Sequence, residues 1–181
     1  SMFPVSAYDG QSAQAASVAL DPKTGAVRAL VGRINSSENA AFRTFNFATQ
    51  SQRSPGSAIK PLVAYAPAVA AGWSINKELD NQTTNYNGYS LENYIGTTSE
   101  PVPMYQALAQ SLNLPAVYAV NELGINRAFE YGKKFGLNMD SVDRVLGVAL
   151  GSGVSTNPLQ MAQAYSAFAN GGVMQDAHLI S

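Results

Sequence analysis

The stretch RSPGSAIKP, residues 53–61, opens an apolar segment and carries most of the functional information in the chain. The chain has only five lysines, and one of them, Lys60, follows Ser57 by three positions. Residues 57–72 are dominated by Ala, Val, Leu and Ile and predict a largely buried helix, with Pro61 in its first turn. Because residues three apart share a helix face, the hydroxyl and the amine are expected to lie together.

A serine and a lysine placed in this way can act as a nucleophile and its base. A serine hydroxyl is a weak nucleophile until a base removes its proton. Burial disfavours the charged form of lysine, so apolar surroundings would lower the pKa of Lys60 and let it accept that proton from Ser57. The backbone N–H groups of the first helical turn can stabilise an oxyanion.

The spacing alone favours a simpler alternative, a helix-capping serine beside a lysine that reaches to solvent. With this composition, about 0.5 Ser-x-x-Lys matches are expected in the chain by chance. A second copy, Ser74-Ile75-Asn76-Lys77, follows Trp73 into a polar loop and is interpreted as a surface turn.

The composition excludes several classes of function. Of 181 residues 46% are apolar and 13% charged, the net charge is −1, and the basic residues are scattered, which argues against disorder and against a nucleic-acid or membrane-surface face. There is no cysteine and one histidine, His178, so Cys/His zinc ligation is excluded and a Ser-His-Asp triad is not supported. No run approaches the roughly 20 apolar residues of a membrane span, and no cofactor motif is present.

The order of elements predicts a β-hairpin followed by a helix-rich half. Two β-rich runs around the turn at 21–25 predict a hairpin. Polar, loop-like stretches follow at 33–56 and 80–100, and Pro67 predicts a kink in the first helix. Further helices are predicted at 103–110, 115–123, 126–135 and 158–169, the last with Asn157 as N-cap. Residues 1–15 are predicted to be an extended lead-in to a domain over 16–181, and two strands alone leave its sheet incomplete.

The longer match Arg-x-Pro-Gly-Ser-x-x-Lys-Pro resembles the active-site segment of penicillin-binding proteins, particularly of the bifunctional class A type. In that family the serine forms an acyl-enzyme, and Ser-x-x-Lys acts with a Ser-x-Asn and a Lys-Thr-Gly element. Ser-x-Asn occurs four times here, beginning at residues 37, 74, 111 and 155. Only Ser111-Leu112-Asn113 lies between two predicted helices, and its continuation Leu-Pro-Ala-Val is similar to the family's loop.

The resemblance implies a role for each of four residues. Ser57 would be the nucleophile, Lys60 its base, Ser111 a proton relay to the leaving amine, and Asn113 a hydrogen-bonding residue for the substrate amide. For Asn113 the alternative is a helix cap.

The Lys-Thr-Gly element is expected to lie outside this chain. Lys23-Thr24-Gly25 precedes the nucleophile and resembles the family's structural Asp-Pro-x-Thr-Gly turn, and no later copy exists. Residues 149–172 are similar to the family's packing helix beyond the Ser-x-Asn loop. The resemblance, which covers most of residues 16–180, therefore implies the N-terminal two-thirds of a transpeptidase domain. The fold it implies is α/β of the α+β type, an antiparallel sheet flanked by helices that is incomplete in this chain. A second chain or missing segment is expected to supply the Lys-Thr-Gly strand.

The implied function is that of a serine-type D-Ala–D-Ala transpeptidase, which cross-links peptidoglycan stem peptides and is acylated by β-lactams. Such an enzyme would be extracytoplasmic, anchored to the membrane by a segment outside this chain, and would need no cofactor or metal. Three alternatives stay open: a serine β-lactamase, a non-catalytic β-lactam sensor or wall-binding module, and a packed domain without chemistry.

Overall fold

The computed structural model describes residues 14–33, 45–86 and 99–179, and these form two compact units. One unit combines Ser1–Arg53 with Thr156–Ser181, and the other is Ser54–Ser155, which contains all four candidate site residues. Antiparallel strands and helices occur together, which confirms the predicted fold class. Most of the lead-in predicted at 1–15 and the match Ser37-Glu38-Asn39 lie outside the described residues.

The first unit contains the predicted hairpin. Strand β1, Ser17–Leu20, pairs antiparallel with β2, Val27–Val31. The chain returns to this hairpin near its C-terminal end, where the His178 N–H donates to the Gly25 carbonyl at 3.0 Å and the His178 carbonyl accepts from Val27 N–H at 2.8 Å. His178 therefore lies at a strand edge, as an ordinary pairing residue.

A helix packs against β1 in the same unit. This helix, α5, spans Pro158–Ala169, and the Asn157 side chain accepts the Gln160 N–H at 3.0 Å. The predicted N-cap is therefore confirmed, and Pro158 lies at the first helical position, where a missing N–H costs little.

The second unit begins with one helical stretch whose pitch changes twice. A 3-10 turn at Gly56–Ile59 is followed by a π-helical turn at Pro61–Tyr65 and by α1, Ala66–Ala70. The single helix predicted at 57–72 is thus present as three short segments. Proline supplies no N–H for an i→i−4 bond, and the pitch changes just before Pro67, where the sequence predicted a kink.

The remaining helices of this unit surround that stretch. They are α2 at Met104–Ala109, α3 at Asn113–Leu123, α4 at Ile125–Lys134 and a 3-10 turn at Leu146–Leu150. Both α3 and α4 pack on the π-helical turn, and the side chains between them form the apolar core, including Leu62, Val63 and Val117. Within the described ranges, no helix combines the length and apolar character needed to cross a membrane.

Two short strands were not predicted. β3, Glu78–Leu79, pairs antiparallel with β4, Val102–Pro103, directly before α2. Each has two residues, which is too short for an alternating pattern to be recognised in the sequence.

Candidate active site

Lys60 is the central residue of the site and is almost completely buried, with 1% of its surface exposed. Its ammonium group donates to three oxygen atoms: the Ser111 carbonyl at 2.6 Å, Asn113 Oδ1 at 2.8 Å and Ser111 Oγ at 3.2 Å. A buried charged group is stable only when its hydrogen bonds are satisfied. These three acceptors match the three donors of an ammonium group.

The connection between α2 and α3 supplies all three acceptors. Ser111 has φ of +53° and is the one non-glycine residue with positive φ among the residues described here. That left-handed conformation costs an L-residue about 1–2 kcal/mol. With this backbone, both the carbonyl and the hydroxyl of Ser111 lie within hydrogen-bonding distance of Lys60. Asn113 is the first residue of α3, two positions earlier than the sequence predicted.

The site favours a lysine that exchanges its proton near neutral pH. Burial lowers the pKa of Lys60 from its usual 10.5 to about 8, because desolvation penalises the charged amine. The three acceptors are uncharged groups. No carboxylate in the described parts of the chain forms an ion pair with Lys60. The Lys60 amine can therefore act as a base in a substantial fraction of molecules at mildly alkaline pH.

Ser57 lies in the first turn of the same helical stretch and is exposed to solvent. Its carbonyl accepts the backbone N–H of Lys60, so the two residues lie about one turn apart. Within the described ranges no group hydrogen-bonds to its hydroxyl, so the structure brings Lys60, Ser111 and Asn113 together without a direct Ser57–Lys60 side-chain bond. The Ser57 hydroxyl is therefore accessible to an incoming substrate.

The structure adds two residues that the sequence did not single out. Ser54 Oγ donates to the Gly151 carbonyl at 2.8 Å and accepts the Gly56 N–H at 3.2 Å. Gly151 has φ of +88°, and a Cβ there would lie 2.9 Å from Gly56 N. A serine before Pro-Gly is a turn signal, but its partner 97 positions away leaves no trace in one sequence.

The second Ser-x-x-Lys match is a surface turn, as predicted. Ser74 Oγ accepts the Asn76 N–H at 3.1 Å, and the Lys77 ammonium lies 4.8 Å from the centre of the Trp73 ring. Ser74 and Asn76 are exposed. The side chains of Ser74 and Lys77 therefore contact Asn76 and Trp73, whereas their backbones bond to each other at 2.9 Å in the turn.

Lys23-Thr24-Gly25 is likewise part of a turn. It lies between β1 and β2, where Thr24 Oγ1 accepts the Ala26 N–H at 3.2 Å, which agrees with its predicted structural role. In the described residues no group of three or more His, Cys, Asp or Glu side chains is arranged to hold a metal ion.

Comparison with known proteins identifies a matching family. A family model described as the penicillin binding protein transpeptidase domain matches residues 15–181. Penicillin-binding protein 2a of Streptococcus pneumoniae is 65% identical over 182 residues, which is 100% of this chain and 25% of that protein. Penicillin-binding protein 1A of Neisseria flavescens is 37% identical over 174 residues, covering 92% of this chain and 21% of that protein.

A solved structure shares the fold. Penicillin-binding protein 1A from Haemophilus influenzae superimposes with a TM-score of 0.82 at 29% identity, covering 98% of this chain and 27% of that one. The chain therefore spans about a quarter of the length of the relatives it matches.

Proposed function

Because the chain belongs to the penicillin-binding protein transpeptidase family, we propose that it carries the acylating part of a D,D-transpeptidase site, with Ser57 as nucleophile. The observation that carries this proposal is the buried Lys60, whose amine is held by Ser111 and Asn113. The implied reaction is transfer of a peptidoglycan stem peptide from its terminal D-alanine to an amine of a neighbouring strand.

In the first step Ser57 Oγ attacks the carbonyl carbon of the D-Ala–D-Ala bond. The neutral amine of Lys60 takes the hydroxyl proton, and the C–O bond forms as the carbonyl becomes an oxyanion. The Ser57–Lys60 hydrogen bond forms only once substrate is bound, since catalytic hydrogen bonds of free enzymes are often long or absent. N–H groups at the start of the helical stretch support the developing negative charge.

In the second step the C–N bond breaks and the terminal D-alanine leaves as an amine. The proton held by Lys60 passes to that nitrogen through the Ser111 hydroxyl, which already lies 3.2 Å from Nζ. The product is an ester on Ser57. Attack by the amine of a second stem peptide then forms the cross-link, releases Ser57 and returns its proton.

Asn113 orients the substrate in this scheme. Its Oδ1 accepts from Lys60, which fixes which end of the side-chain amide points at the ammonium. The Nδ2 end is then the one that can donate to a carbonyl of the stem peptide. β-Lactams would acylate the same serine, because their ring carbonyl takes the position of the scissile amide.

A segment outside this chain supplies the Lys-Thr-Gly strand that edges the site. The domain works on the outer side of the cytoplasmic membrane, where peptidoglycan is assembled, and the complete protein is held there by a segment outside this chain.

The proposal is tested by assaying the complete protein with D-Ala–D-Ala stem peptides and an amine acceptor. We expect release of D-alanine together with an amide-linked dimer, and loss of both by at least about a thousandfold in Ser57→Ala. The matched control is Ser74→Ala in the other Ser-x-x-Lys sequence, which should leave the rate unchanged. Hydrolysed monomer without dimer would favour a β-lactamase-like hydrolase, and neither product would favour a sensor.

A further inference from the structure

We propose that Ser54 is a positioning residue, whose hydroxyl sets the location of Ser57 relative to Lys60. Ser54 Oγ donates to the Gly151 carbonyl at 2.8 Å and accepts the Gly56 N–H at 3.2 Å. These two hydrogen bonds are called the Ser54 bridge. The inference rests on the proposed function, because it concerns the nucleophile of that reaction.

The turn that carries Ser57 has little support of its own. Gly56 has φ of +53°, and the 3-10 segment it begins is only four residues long. Two backbone bonds close the turn, from the Ala58 N–H to the Pro55 carbonyl at 3.2 Å and from the Lys60 N–H to the Ser57 carbonyl. Because short 3-10 turns have poor hydrogen-bond geometry, an external contact can determine where this turn lies.

The partner of the Ser54 bridge is well fixed. The Gly151 N–H donates to the Val148 carbonyl at 3.1 Å, and the Ser152 N–H donates to the Gly147 carbonyl at 3.0 Å. Val148 is fully buried, so these bonds connect the Gly151 turn to the core. The Gly151 carbonyl is therefore a stable acceptor for the Ser54 hydroxyl.

The two ends of the Ser57–Lys60 pair are held by different elements. The Lys60 ammonium donates hydrogen bonds to Ser111 and Asn113. The turn that carries Ser57 is instead connected to the Gly151 turn through the Ser54 hydroxyl. The described contacts of Ser54 include none of the Lys60 partners. Removal of the Ser54 hydroxyl should thus misplace the nucleophile and leave the proton affinity of its base unchanged.

This separation makes the role measurable by rapid-mixing kinetics with benzylpenicillin, using the complete protein. In Ser54→Ala we expect the acylation rate constant to fall about tenfold, since small misplacement of a reacting group is costly. The dissociation constant of the initial complex and the pH midpoint of acylation should stay unchanged. Ser54→Thr keeps a hydroxyl, and a residue before proline adopts the extended backbone that threonine tolerates, so it should restore most of the rate.

Ser141→Ala is the matched control, because Ser141 is an exposed serine of the same unit and should acylate like the unmodified protein. A full rate in Ser54→Ala would overturn the proposal. A loss that Ser54→Thr does not rescue, or one accompanied by a shifted pH midpoint, would also overturn it.

Hydrogen exchange by mass spectrometry tests the bridge without acylation. Peptides that cover residues 54–60 should exchange faster in Ser54→Ala, with peptides of α4 unchanged. If the unmodified protein forms no adduct, the proposed function fails. The exchange data then still decide the bridge: faster exchange supports it, and equal exchange overturns it.

Discussion

Lys60 contacts Ser111 through two oxygens of different character, the backbone carbonyl at 2.6 Å and the side-chain hydroxyl at 3.2 Å. A carbonyl can only accept a hydrogen bond, whereas a hydroxyl can also donate one. The ammonium form of Lys60 donates to both and to Asn113. The neutral amine can donate its two N–H groups to the Ser111 carbonyl and to Asn113. Its lone pair can then accept a hydrogen bond from the Ser111 hydroxyl. The same three contacts therefore suit both protonation states, as a base that gains and loses a proton requires.

The acylation rate should depend on pH through Lys60. Burial lowers the pKa of Lys60 to about 8, and the neutral amine is the active form, so the rate should rise as pH increases through about 8 and then level off. In Asn113→Asp a carboxylate would lie beside the ammonium and stabilise its charge. The midpoint should then move upward by about one pH unit or more.

Asn138→Asp is the control for that experiment. Asn138 is exposed and its Oδ1 accepts the Asp140 N–H, so the variant adds the same charge away from Lys60. Rate profiles measured with a chromogenic β-lactam from pH 6 to 10 would give both midpoints. An unshifted midpoint in Asn113→Asp would mean that Lys60 is not the titrating base.

Two substitutions at Ser111 separate its hydroxyl from its backbone. Both Ser111→Ala and Ser111→Gly remove the hydroxyl, so both should slow transpeptidation by roughly a hundredfold or more. Alanine keeps the energetic cost of the left-handed conformation at φ +53°, whereas glycine does not. Ser111→Gly should therefore be at least as stable as Ser111→Ala. Thermal unfolding gives the stability, and a wild-type rate in either variant would remove Ser111 from the mechanism.

Gly151→Ala should disturb the nucleophile's turn as well as the stability. A methyl group at Gly151 would lie 2.9 Å from Gly56 N and 3.0 Å from Gly56 O, in addition to the strain of φ +88°. We expect the free energy of unfolding to fall by more than about 2 kcal/mol. The folded fraction should acylate more slowly.

Gly72→Ala is the control for Gly151→Ala. Gly72 has φ of +86°, and a Cβ there meets no atom of the described residues within 4 Å. The free energy of unfolding of Gly72→Ala should fall only by the backbone strain, about 1–2 kcal/mol. This variant should acylate at the normal rate. Urea unfolding followed by circular dichroism would compare the stabilities of the two variants. Equal stability losses would contradict the close packing of Gly151 against Gly56.

Tyr65→Phe should not reduce stability. The Tyr65 side chain is buried, its hydroxyl has no hydrogen-bond partner among the described residues, and burial raises the pKa of the phenol. Removal of a buried unpaired hydroxyl relieves a desolvation cost of about 1–3 kcal/mol. The melting temperature should stay equal or increase, with exposed Tyr105→Phe unchanged. A drop of several degrees would show that the hydroxyl has a partner.

The sequence predicted the features that depend on local pattern. Alternation around the turn at 21–25 identified the hairpin, and Asn157-Pro158 identified the start of α5. Burial of Lys60 followed from its apolar neighbours. The helix at 57–72 was recognised and a kink was predicted at Pro67, but the 3-10 and π-helical turns that precede it were not predicted.

The site was only partly predictable. Ser57, Lys60, Ser111 and Asn113 were named from short motifs, and the structure brings the last three together. The left-handed backbone of Ser111 closes the end of α2 through local bonds, from the Ser111 N–H to the Leu108 carbonyl and from the Leu112 N–H to the Ala107 carbonyl, at a position where glycine is usual. The bond from Ser54 to Gly151 joins residues 97 positions apart. A single sequence carries no signal for such a distant contact.

The most direct test of the acyl-serine proposal is peptide-mapped mass spectrometry of the complete protein after incubation with benzylpenicillin. We expect one covalent adduct, on the peptide that contains Ser57, and none in Ser57→Ala. An adduct that persists in Ser57→Ala, or one that maps to another residue such as Ser74, would contradict it.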